Sequence, residues 1–215
     1  MKLKEDYTKI IITALILVFS TPLAFTETNK NISLGEAGEE LSDFCLSGKK
    51  EEVAKFISAA ETAIINLRSL SQDLNHKDMK LALAEDLLGR ARELCSRGPS
   101  ISGALAANQL MLVALELEPQ ADIISERLVW FDYLARDIIL RAKNPNPHNL
   151  NLIERRAKSI VALWSVLRPS FSSHPELISE GDSLSSQFNT PAKPEVRLHQ
   201  ATKAADFVDK LEKAK

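Results

Sequence analysis

The residues of this chain whose types could do chemistry are few: four histidines, two cysteines, one pair of amides in an apolar run and one aromatic cluster. Metal binding on a helix needs two ligands on one face, three or four positions apart. His76, His148, His174 and His199 have no second His or Cys at that spacing, and only Glu195 stands four residues before His199. One such pair arises often by chance, so no metal centre is expected. His76 and His148 fall in stretches that read as turns. Cys45 and Cys95 make no Cys-x-x-Cys, which leaves redox catalysis and haem attachment without support. No Gly-rich phosphate loop and no Gly-x-Ser-x-Gly occurs, although a catalytic triad assembled in space would leave no local trace. No cofactor is expected.

Asn108 and Gln109 interrupt an otherwise apolar helix. A buried amide must find hydrogen-bond partners, so the pair either fixes helix register or lines an internal pocket. Trp130, Phe131 and Tyr133 are the densest aromatic stretch. Neighbours in sequence point to different sides of a helix, so not all three can enter one core. The remainder would cap a groove or face a partner, where Trp and Tyr are enriched. These five residues are the candidate pocket or interface.

The amino terminus reads as a secretory leader. A basic start with Lys2 and Lys4 precedes an apolar run from Ile10 to Phe19, and Ala24 and Thr26 then suit cleavage after Thr26. The apolar run is shorter than the roughly 20 residues a spanning helix needs, so membrane contact is expected only through an uncleaved leader. Periplasmic or extracellular localisation follows, and cysteines in such compartments usually pair. The two cysteines flank the polar stretch Ser71–Lys77, which reads as a turn. A hairpin folding there would bring Cys45 to Cys95 as a disulfide. Asn31-Ile32-Ser33 is a glycosylation acceptor sequence if the host glycosylates.

The elements that must position these residues are all helical. Seven glycines in 215 residues disfavour a turn-rich β fold. Val53, Phe56, Ile57, Ala60, Ile64 and Leu67 recur at steps of three and four, as do Leu81, Ala84, Leu87, Leu88, Ala91 and Leu94. Ser100 or Ser102 starts a helix to about Glu118 that is apolar nearly all round, the signature of a central position. Pro119 suits the first turn of the next helix, which reaches Lys143. After Asn144-Pro145-Asn146-Pro147 comes a stripe of Leu150, Ile153, Ala157, Ile160, Val161, Trp164 and Leu167, ended by Pro169. A shorter helix to Phe188 contains Gly181, an awkward residue for a helix interior. Asp78 reads as an N-cap. The spacing of Trp130 and Trp164 matches one common helical-repeat unit, but the surrounding pattern fails at Tyr133 and Arg168.

The expected architecture is an all-α helical bundle, or stacked helical hairpins, of about six to seven helices. Residues 1–26 form the signal peptide, 27–190 the helical domain, and 191–215 a C-terminal helix that Val196, Phe207, Val208 and Leu211 anchor only loosely. The net charge of −2 gives no reason to bind nucleic acid. The expected function is that of an exported, non-enzymatic interaction or accessory module for another protein. The alternatives are a carrier of a small apolar ligand or lipid between helices, and a hydrolase with a spatially assembled site.

Overall fold

Helix starts follow from local capping chemistry. In the computed structural model, which describes residues 32–69 and 75–215, the Ser33 hydroxyl accepts from the Glu36 N–H and opens α1, Leu34–Ser47. Gly48 ends it in the left-handed region, φ 68°, where a side chain would be strained. Then come α2, Lys50–Ser69, and α3, Asn75–Cys95. Ser100 caps α4, Ile101–Leu117, and Asp122 caps α5, Ile123–Ala142. Asn146 caps α6, Pro147–Leu167, which runs into a 3-10 turn, Arg168–Phe171. Prolines open α7, Pro175–Asn189, and α8, Pro194–Ala214. The described residues thus hold eight helices and no strand, slightly more helices than expected. The leader, Asn31 and the centre of the Ser71 turn lie outside the described residues.

Several boundaries differ from the sequence reading for identifiable reasons. Pro119 does not start α5, because the Asp122 carboxylate accepts from both Ile124 N and Ser125 N and sets the start later. Asp78 is not a cap but sits in the first turn of α3, where a negative side chain complements the helix dipole. His76 and His148 likewise lie within first helical turns rather than in loops.

The helices close into two four-membered rings. In the first, α1 packs on α2, α2 on α3, α3 on α4, and α4 back on α1. In the second, α5, α6, α7 and α8 do the same, with α8 closing on α5. Ion pairs fix the antiparallel sense: Arg68 meets Glu85 at 2.8 Å while Arg92 meets Glu61, so numbers rise along α2 as they fall along α3. Each ring surrounds its own apolar core. Neighbouring α4 and α5 join the rings, and residues 32–215 form one unit.

Close approaches in both cores depend on missing side chains. The disulfide Cys45–Cys95 ties the end of α1 to the end of α3. It lies on the bare backbone of Gly103, where a Cβ would stand 2.5 Å from the Cys95 sulfur and 2.9 Å from the Cys45 sulfur. In the second ring the Trp164 indole lies flat on Gly181, where a Cβ would come within 2.3 Å of the ring. That contact explains a glycine inside α7. Trp164 also stacks edge-on against Phe207, centroids 5.4 Å apart, and its N–H donates to Asp182 at 2.9 Å.

Helix α8 buries Ala201, Ala204, Phe207, Val208 and Leu211. Val196 is exposed; its neighbour Arg197 turns inward instead and is 1% exposed. The guanidinium donates to both Glu154 oxygens, at 2.9 and 2.8 Å, to Gln200 Oε1 at 2.9 Å, and to the carbonyls of Gln187 and Thr190 at the end of α7. A buried cation is tolerable only when its donors are satisfied in this way.

Polar contacts bridge the rings. Asn108 on α4 is fully buried, and its Nδ2 donates to the Tyr133 carbonyl on α5 at 3.3 Å. Arg136 on α5 reaches Asp43 and Glu39 on α1 as well as Asp132 on its own helix. Among the described residues no helix is long and apolar enough to cross a membrane.

Candidate functional site

Helix α6 carries two stripes. Ile153, Ala157, Ile160, Trp164 and Leu167 are buried in the core. Arg156, Ser159, Leu163 and Val166 recur at the same steps on an adjoining face. Helix α5 brings Trp130 and Leu134, four residues apart, to that face. Between them lies an open groove of about 440 Å³, lined by Trp130, Leu134, Arg156, Ser159, Ala162, Leu163 and Val166. Trp130 is 36% and Val166 46% exposed, large values for apolar side chains.

The aromatic cluster divides as helix geometry requires. Phe131 enters the second core and meets Phe207, centroids 6.4 Å apart. Tyr133 is buried between the groove and the ring junction. Trp130 stands at the groove with its ring perpendicular to Tyr133 at 6.0 Å. Asn108 reaches this group through its Nδ2, which donates to the Tyr133 carbonyl; its buried Oδ1 has no hydrogen-bond partner among the described residues, and it does not line the groove. Gln109 is half-buried and does not line the groove.

A charged layer stands behind the groove. Arg156 Nε donates to Asp137 Oδ2 at 3.0 Å, and its Nη2 donates to the Tyr133 hydroxyl at 3.3 Å. Arg141 Nε donates to the same Asp137 oxygen at 2.8 Å, and its Nη1 donates to Asn149. Two guanidinium groups therefore share one fully buried carboxylate, which leaves this layer one positive charge in excess. Burial pushes the Tyr133 phenol above its ordinary range, and the Asp137 charge pushes it the same way. The phenol stays protonated and holds its place over the Arg156 guanidinium, 5.5 Å from the ring centre.

The Ser159 hydroxyl donates to the Arg155 carbonyl at 3.1 Å, and no histidine lines the groove. Arg156 and Asp137 escaped attention in the sequence because charges on a helix usually mark its solvated face. The signal that existed was Leu163 and Val166, which lie off the core stripe at its own period.

Two other concavities are lined by charged side chains. One between α7 and α8 is lined by Glu176, Glu180 and Asp206 against Lys203 and Lys210, with Lys210 paired to Glu180 at 2.7 Å. The other holds Arg136 between α1, α5 and α8. Beside it Glu39 is raised to about 7, by burial against which Arg136 acts, with Asp132, Asp43 and Glu212 adding to the rise. Burial also raises Asp132 and Glu212. Among the described residues no group of His, Cys, Asp and Glu could hold a metal ion. Comparison with known proteins adds no assignment: no family model, no curated protein and no solved structure matches this chain.

Proposed function

We propose that this chain is an exported interaction module that binds a partner protein in the groove between α5 and α6. The observation that carries the reading is Trp130, a large aromatic side chain left exposed above an apolar groove with a half-buried arginine at one end. Trp and Arg are the residues most enriched where binding energy concentrates. The disulfide supports export, since such bonds persist in oxidising compartments. The leader at 1–26 is the second support.

The test is site-specific photo-cross-linking. A photoreactive side chain at Val166 should give one reproducible adduct in the native exported fraction, and Trp130→Ala should diminish it. The same probe at exposed Val196 on α8 is the control. Equal labelling from both positions, or none from Val166, removes the reading. Intact mass of the exported protein checks cleavage after Thr26.

A small apolar ligand is a second reading. The same groove favours it, because its walls are apolar and its volume would accept a short chain. Native mass spectrometry of freshly purified protein that shows a bare mass alone would argue against it.

A further inference from the structure

Resting on the groove as the docking site, we infer that its partner is an acidic amphipathic helix, about three turns long, which lays an apolar face on Trp130 and places carboxylates toward Arg156 and Arg127. The argument begins with charge. The chain as a whole is slightly acidic, at −2. The groove is the reverse. Behind it Arg141 and Arg156 share the single carboxylate of Asp137. Arg156 spends Nε on Asp137 and Nη2 on Tyr133, and Nη1 makes no hydrogen bond with any described residue. Its side chain is 29% exposed where it lines the groove.

Charges beside this stretch are mostly of the same sign, the exception being Glu126, four residues before Trp130 and half-buried. Arg127 stands one turn before Trp130 on the same face of α5, half-buried and with no ion pair among the described residues. On α6 the one acid, Glu154, is 41% exposed but is already paired through both oxygens with Arg197. Arg155 and Lys158 flank Arg156 and are exposed. A partner carrying positive charge would meet uncompensated like charge here, whereas a carboxylate would find a guanidinium with a donor to spare.

Shape supplies the second condition. From Arg156 to Val166 the groove runs about 15 Å along α6, at 1.5 Å per residue. Two antiparallel helices with an apolar trough between them present the seat that a third helix fills. Trp130, Leu163 and Val166 would then contact one stripe of the incoming helix, and its flanks would face Arg127 and Arg156.

The experiment uses two synthetic helical peptides with the same Leu stripe, one flanked by Glu and the other by Lys. Each is titrated into the mature protein carrying fluorinated tryptophan, with the Trp130 resonance assigned by Trp130→Phe. The Glu peptide should shift Trp130 and not Trp164, and should bind about tenfold tighter than the Lys peptide, the ratio of one charge-assisted contact. High salt should narrow that ratio. Arg127→Gln should narrow it too, while Val166→Glu should abolish binding of the Glu peptide.

Equal or tighter binding of the Lys peptide at Trp130 overturns the charge inference and leaves the groove as a docking site. A Trp130 resonance that neither peptide moves also overturns the inference. The docking role itself is then judged by the Val166 cross-link alone.

Discussion

Removing the disulfide is the most informative perturbation of the fold. Cys45 and Cys95 are separated by 50 positions. In the chain-entropy account a closed loop of that length lowers the entropy of the unfolded chain by an amount equivalent to about 4 kcal/mol at room temperature. Both sulfurs are buried and rest on Gly103, so Ala at both positions keeps the site apolar and isolates the cross-link. The double variant Cys45→Ala, Cys95→Ala should therefore lose about 4 kcal/mol in urea unfolding, or roughly 8–16 °C in Tm for a unit of this size. The loss should be local. Hydrogen exchange should quicken in α1 to α4, where the bond ties α1 to α3, before it quickens in α5 to α8. A double variant within about 0.5 kcal/mol of the parent, the range of ordinary surface substitutions, would refute the reasoning. So would two freely alkylatable thiols in the exported protein.

Three further outcomes follow from single residues. Gly181→Ala should push the Trp164 indole off its seat and break its bond to Asp182; over-packing of this kind costs about 1–3 kcal/mol, and near-UV circular dichroism should report the moved ring. Arg197→Met leaves Glu154 and the last carbonyls of α7 without their donor. Because Glu154 can rehydrate, the loss should be about 2–4 kcal/mol by denaturant unfolding, below the range for a wholly buried pair. Glu39 is raised to about 7 from an unperturbed 4.5, so its contribution favours the folded state below about 4.5 and is lost as pH rises through about 7. The stability difference between the parent and Glu39→Gln should therefore move against the parent from pH 5 to pH 8, by a small amount because Glu39 is 39% exposed. A difference that is flat or of opposite sign would show that Arg136, not burial, governs this carboxyl.

The helices were legible wherever one face is apolar and the other charged. The stripes of α2 and α3 place Val53, Phe56, Ile57, Leu81 and Leu87 in the first core as their spacing requires. Pairing of the cysteines was legible too, because each sits on such a stripe. What escaped was charge turned inward. Helical period alone favours Val196 and Leu150 as anchors, yet Arg197 and Asn149 take the buried positions next to them. Each does so because backbone carbonyls in the preceding turn, five and seven residues back, accept its donors, and apolar periodicity does not register such bonds. Gly181 was similarly opaque, since its reason is an indole from another helix. For the candidate site, Trp130 and Tyr133 were visible as aromatics, but the arginine against Tyr133 was not. Its position depends on how α5 and α6 rotate against each other.

One consequence concerns chain connectivity. The Leu34 N–H donates to Glu118 at 2.6 Å, and Lys215 pairs with Asp122 at 2.7 Å. Glu118 and Asp122 are separated by four residues, a span of at most about 14 Å even when extended. The start of α1 and Lys215 thus meet at one short connector. A linker of a few residues could splice them, and the polypeptide could be opened at another loop with every helix left in place. Circularly permuted versions, with new ends at Gly98 or Asn144, would ask whether either ring must be synthesised uninterrupted.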